Sequence, residues 1–144
     1  MTSGENVEDM SEQTKVKTYK DLVVWRKGIV LIRRLYLLTR DFPADERFGL
    51  ISQMRRAAVS VPSNIAEGQA RKSTAEFIQF LSISLGSLAE LETQLTISVD
   101  LGYCSESAAL EIFNSIQDLQ KMPHSLRAKL ATRHSPLTTG RRKR

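Results

Sequence analysis

Residues 53–68 read QMRRAAVSVPSNIAEG. Wound at about 100° per residue, the stretch separates into two lines. Met54, Ala57, Ala58, Val61 and Ile65, with Leu50 one turn earlier, form an apolar stripe. Gln53, Arg56, Ser60, Asn64 and Glu67, continued by Arg71, form a narrow polar line. A pattern of this period is a helix with one face in a core. Pro62 stands inside it. Proline lacks an N–H, and its ring meets the carbonyl four residues back. The helix is therefore expected to kink at Pro62, or to break there with Asn64 recapping the next turn. Ser60, Ser63 and Asn64 carry groups that can satisfy the freed backbone. Asn64 and Glu67 have the spacing of a capping box.

Outward from this segment the chain reads as helix throughout, with no alternating β-branched runs and no Asn-Gly turns. A first helix is expected from about Asp21 to Arg40, ending near Phe42-Pro43, because the residue before proline disfavours helix. Its residues Leu22, Trp25, Ile29, Ile32 and Tyr36 step by three and four, the seam of a bundle. Val24, Leu31, Leu35 and Leu38 lie beside that seam, and Val23, Val30 and Leu37 recur every seven residues. The second helix is read from about Asp45 to Gly68. A third starts at Ser73-Thr74-Ala75-Glu76, a capping-box sequence, and runs to a stop at Gly102. Its stretch at 77–89, FIQFLSISLGSLA, carries no charge, and Ser82, Ser84, Gly86, Ser87 and Ala89 are small enough for close helix approach. A fourth starts near Ser105 and heads through Ile112, Ile116, Leu119 and Leu126 towards Leu130, with Pro123 kinking or ending it. Short linkers between long helices predict an all-α, up-down-up-down antiparallel four-helix bundle. Helices apolar on more than one face, the first and third, predict self-association.

The chain has 144 residues, one domain's worth, with 21 Lys+Arg and 16 Asp+Glu for a net charge of +5. The charge is unevenly placed. Residues 1–18 are acidic, net −2, and almost without apolar side chains, so an N-terminal arm without fixed structure is expected. Residues 19–130 form the bundle. Its first part, 19–72, has 11 basic against 5 acidic side chains, whereas 73–130 has 3 against 7. Residues 131–144 are a basic tail of net +5. The polar N-terminus predicts neither signal nor transit peptide, and no apolar run approaches the roughly 20 residues of a membrane span. A cytoplasmic protein without a membrane partner is expected.

Catalysis finds little support in the residues. One cysteine, Cys104, and two histidines, His124 and His134, leave almost nothing for a metal. Ser60 and Ser63 have no histidine near them in sequence, and a serine nucleophile needs a positioned base. Glu90 and Glu92, two apart, do not share a helix face. Gly28, Gly86 and Gly102 are isolated, so no phosphate loop is present, and no Glu-x-x-His pair exists for a carboxylate metal site. No enzyme, no cofactor and no small-molecule substrate are expected.

The polar line admits two readings. Gln53, Arg56, Ser60, Asn64 and Glu67 form a hydrogen-bonded network that fixes helix register within or between subunits, or the line presents the planar fork of Arg56 to a phosphate. Basic side chains are the other candidates: Arg26, Lys27, Arg33, Arg34 and Arg40 on the first helix, Arg55, Arg56, Arg71 and Lys72 along the second, and Arg141, Arg142, Lys143 and Arg144 in the tail. Such charges neutralise a nucleic-acid backbone. With Trp25 and Tyr36 on the apolar seam, no aromatic platform for base stacking is evident. Sequence-tolerant binding of RNA or DNA is expected. The alternative is a protein–protein scaffold that recruits a partner enzyme without binding nucleic acid.

Four stretches, at 19–25 (YKDLVVW), 42–50 (FPADERFGL), 53–68 (QMRRAAVSVPSNIAEG) and 77–92 (FIQFLSISLGSLAELE), carry a resemblance. The chain resembles the four-helix-bundle proteins encoded by intervening sequences in bacterial 23S ribosomal RNA genes. Their superfamily includes the accessory variability determinant proteins of diversity-generating retroelements. The resemblance covers about residues 19–130. It implies a homopentameric ring of bundles and, from the retroelement relatives, nucleic acid and a reverse transcriptase as partners, with no established enzymatic activity. Pro123 and the Arg-rich tail depart from the family's pattern.

Overall fold

A computed structural model of the chain describes residues 18–123. After a 3₁₀ turn at Tyr19–Asp21 come four helices: α1, Val23–Thr39; α2, Leu50–Gln69; α3, Thr74–Asp100; and α4, Glu106–Leu119. A second 3₁₀ turn, Ala44–Glu46, lies between α1 and α2, and no strand occurs among the described residues. The main packing runs α1 on α2, α2 on α3, α3 on α4, and α4 back on α1. The expected arm, the tail with Arg141, Arg142, Lys143 and Arg144, and the segment after Pro123 lie outside the described residues, Thr18 excepted.

Local signals account for the helix ends. The Ser73 hydroxyl caps α3 by accepting the Glu76 N–H at 3.1 Å, and Ser105 caps α4 by accepting the Ala108 N–H at 3.1 Å. At the other end of α3, Gly102 takes φ +80°, its N–H bonds Val99, and the Tyr103 N–H bonds Ser98. That paired closure is a Schellman motif, which glycine enters without a Cβ penalty. α4 ends at Leu119, sooner than its apolar repeat predicts. Pro123 has no N–H for the Leu119 carbonyl, and helical backbone resumes only at Met122. α2 begins at Leu50 rather than near Asp45 because the Glu46 carboxylate accepts the Leu50 N–H at 3.0 Å, fixing the first turn there.

The core is mainly apolar, with Thr39, Ser84 and Ser98 buried in it. Leu31, Leu35, Met54, Ile65, Leu88, Leu91, Leu95 and Ile116 are fully buried, each worth roughly 1.5–3 kcal/mol of transfer free energy. In α1 the seam sits one step around from the expected one. Val24, Gly28, Leu31, Leu35 and Thr39 face inwards. Of the expected seam only Leu22 is buried; Trp25, Ile29 and Ile32 are half-buried and Tyr36 is exposed. The cause is a close approach of α2. A Cβ on Gly28 would lie 3.1–3.3 Å from three carbons of the Pro62 ring, so the bare backbone of Gly28 makes the seat for that ring.

Pro62 is buried in an α2 that is continuous from end to end. The expected break and the recapping by Asn64 do not occur. The Asn64 amide instead donates back to the Ser60 carbonyl at 2.8 Å and the Ser60 hydroxyl at 2.9 Å, and Ser84 on α3 donates to the Val61 carbonyl at 2.9 Å. Neighbouring side chains thus bond the backbone around the proline. The small residues of α3 divide between two faces: Ser84 and Ser87 turn towards α2, Ser60 and Ser87 sharing a 2.8 Å bond, whereas Ser82, Gly86 and Ala89 face outwards.

Candidate nucleic-acid interface

The basic residues of α1 do not act as one patch. Arg26, Arg33 and Arg40 follow one another at seven-residue spacing on the exposed side. Lys27 and Arg34 are one step around, where α4 packs. Lys27 pairs with Asp118 at 2.6 Å, and Arg34 donates to the Ser115 hydroxyl at 2.8 Å with Glu111 at 3.7 Å. These two cations tie α1 to α4 and already have carboxylate partners. Arg71 pairs with Glu67 at 3.1 Å, its guanidinium 4.9 Å from the Phe80 ring centre. Lys72 is exposed just beyond α2.

The polar line of α2 separates in the same way. Ser60 and Asn64 are joined, with Ser87 as third member. Gln53 is exposed. Glu67 bonds Arg71, not Arg56. Arg56 is exposed, with no hydrogen bond or ion pair to another described residue. Eleven residues of helix separate Arg56 from Glu67, roughly 16 Å of rise, beyond the reach of two side chains. Within the chain, the five-residue network therefore reduces to a Ser60–Asn64–Ser87 knot.

What the structure gathers around Arg56 is a groove of about 470 Å³ on the α1–α2 side. Arg47, Arg55 and Arg56 line it, with no acidic side chain among the lining residues. Arg55 is held in place. Its Nε donates to Thr39 Oγ1 at 3.0 Å, and its guanidinium lies 4.2 Å from the Tyr36 ring centre. Arg47, like Arg56, is exposed and bonds no other described side chain. Phe48, 88% exposed, lines the same groove, with Ile51 and Val59. Sequence reasoning passed over Arg47 and Phe48, which sit in a connection without periodicity. The available signal was an aromatic flanked by arginines in RFGLISQMRR.

The segment that presents Phe48 is braced. Glu46 accepts the Leu50 N–H and, at 2.8 Å, the Tyr103 hydroxyl from the α3–α4 connection. Phe42 lies against the Tyr103 ring, centres 5.6 Å apart. The backbone bond and then the tyrosine bond hold the Glu46 pKa below its ordinary 4.5, and the same tyrosine bond raises that of Tyr103. A depressed folded pKa adds stability that is present above the unfolded value and lost as the pH falls through the folded one. Acid unfolding is therefore expected to be less steep in Glu46→Gln than in the parent. The gap between the two stability curves is greatest above about pH 4.5 and closes below it. Parallel acid limbs, followed by circular dichroism, would contradict this role.

Among the described residues no group of three His, Cys, Asp or Glu side chains is placed to hold a metal ion, and no helix is long and apolar enough to cross a membrane. The profile of the 23S rRNA-intervening sequence protein family matches residues 20–125, every helix of the bundle. The chain belongs to this family. A solved relative is a protein of unknown function from the S23 ribosomal protein family of Bacteroides thetaiotaomicron VPI-5482. It shares 25% identity with a TM-score of 0.65, over 72% of this chain and 97% of that one. No curated protein matches the chain. Family membership accounts for the four stretches of resemblance, which fall on α1, the α1–α2 connection, α2 and α3.

Proposed function

We propose that this family member is a non-enzymatic, oligomeric scaffold that binds the backbone of RNA or DNA, as an accessory to a reverse transcriptase or to ribosomal RNA. The observation that carries the reading is the groove with three arginines and no carboxylate, two of the arginines bonding no other described side chain. Unpaired guanidiniums beside one another repel, and a phosphate chain relieves that repulsion while releasing its counterions. The exposed row Arg26, Arg33 and Arg40 extends the basic surface.

The bundle in this reading is up-down-up-down, and copies of it close into a ring of five. The ring and its count come from the family resemblance. The outer face of α3 supports self-association: Ile78 and Ile83 are about half exposed there, interleaved with Ser82, Gly86 and Ala89 and with no charge over 77–89. Soluble monomers rarely expose such a face. A heterologous contact that closes makes a ring, and a ring turns one weak patch into several acting together. A scaffold that recruits a partner enzyme without nucleic acid is the second reading, favoured by Val23 and Leu37, each about half exposed between the α1 arginines.

Sedimentation of the intact chain, alone and with mixed-sequence RNA, tests the proposal. The expected result is a particle near five chain masses that carries RNA at low salt. Ala89→Glu, which sets a charge on the outer face of α3, should reduce the particle to a single chain while its helical dichroism is kept. A parent protein that sediments as one chain would contradict the ring. A five-chain particle that never carries RNA would leave the protein scaffold in its place.

A further inference from the structure

We infer that Phe48 is a stacking platform: the α1–α2 groove takes one unpaired base of a single-stranded nucleic acid against the Phe48 ring, with the adjoining phosphates on Arg47 and Arg56. This rests on the nucleic-acid reading and adds a preference to it, for strands whose bases are free.

Three observations meet here. A phenylalanine that is 88% exposed forgoes the burial that a ring of its size would otherwise gain. Its backbone is fixed nonetheless, because Glu46 two residues earlier is bonded to both Leu50 and Tyr103, so the ring is offered from a braced turn. Three guanidiniums share the groove lining with it, and one of them, Arg55, is already stacked on Tyr36, which makes a flat cationic wall.

The charge decides the occupant. A purely apolar helix laid in this groove would strip water from three arginines without giving them a counter-charge, a costly burial. A nucleotide unit supplies a flat apolar face and an anion a short distance apart. The groove volume, about 470 Å³, lies in the range of sites that hold small ligands. In a duplex the base faces are covered by their neighbours, so the ring has nothing to stack on. Every base has such a face, so the platform is sequence-tolerant.

The test uses the intact chain and a mixed-sequence 20-nucleotide RNA, single-stranded and as a duplex, at fixed low salt. Phe48→Leu keeps apolar area without the aromatic face, and Phe48→Trp enlarges that face. Phe48→Leu should weaken single-strand binding about ten-fold and leave duplex binding unchanged. Phe48→Trp should bind the single strand at least as well as the parent, and its added indole emission should be quenched on binding. Equal affinity of parent and Phe48→Leu for the single strand, or equal losses on both probes, would overturn the stacking assignment while the backbone reading stands. A change of particle mass in Phe48→Leu would assign the ring to a contact between copies and overturn it too. Absence of binding to any probe by the parent would remove both.

Discussion

Gly68→Ala should lower the melting temperature, although alanine is the better helix former by about 1 kcal/mol. An added Cβ would lie 2.7 Å from Phe77 Cδ1 and 2.9 Å from Phe80 Cβ. The phenyl ring of Phe77 can turn away. The Phe80 Cβ cannot, because it is joined directly to the α3 backbone, so α2 and α3 must part. Their interface carries the Ser60–Ser87 and Ser84–Val61 bonds. Overpacking of a filled core costs about 1–3 kcal/mol, which outweighs the propensity gain over most of that range. Gly68→Val enlarges the clash and should cost about 3 kcal/mol, or some 10 °C or more for a domain of this size. Thermal melts by circular dichroism give the answer. An unchanged or raised melting temperature in Gly68→Val would show that the two helices are not in this close register.

The second large effect falls on binding and spares stability. Arg47→Ala with Arg56→Ala removes two exposed cations that bond no other described side chain. Stability should stay within about 0.5 kcal/mol, as for exposed positions generally. Affinity for single-stranded RNA should fall by an order of magnitude or more. The slope of log K against log salt should flatten by about 1.4, two contacts at about 0.7 each. The companion variant Lys27→Ala with Arg34→Ala loses as much charge from the protein. Those cations already serve Asp118, Glu111 and Ser115. Exposed pairs are worth roughly 0.2–1 kcal/mol, so that variant should lose a little stability and keep most of its affinity. Equal losses of affinity in the two variants would mean that net charge, rather than the groove, holds the nucleic acid.

The contrast between these two pairs marks where the sequence stopped being readable. Signals that act within a few residues were plain: the Ser73 cap, the Gly102 stop and the stripe from Met54 to Ile65 all stand where their chemistry puts them. The seam of α1 was misplaced because that helix is apolar on two faces. Its orientation is decided by Gly28 receiving the Pro62 ring from another helix. A contact between residues 34 positions apart leaves no trace in local periodicity. Lys27 and Arg34 looked like free surface charge for the same reason, since Asp118 and Glu111 lie far along the chain. Arg56 and Glu67 were read into one network because they share a helical line, yet a shared line is not a shared turn. Arg47 and Phe48 stood in a connection, where neither helix nor strand pattern draws attention to a side chain. Pro62 suggested a damaged helix, and only the side chains around it explain why α2 is whole.

The central claim is that this protein holds a phosphate backbone through arginines, and a salt titration addresses it most directly. The intact chain is titrated against mixed-sequence single-stranded RNA and DNA, beside a form lacking residues 131–144. Binding is expected to weaken linearly in log K with log salt, with a slope near −0.7 for each phosphate contact. The shortened form should bind less tightly and with a flatter slope, its fold unchanged. No measurable binding by either form at about 50 mM salt, where phosphate contacts are strong, would contradict the claim and leave the groove to a protein partner.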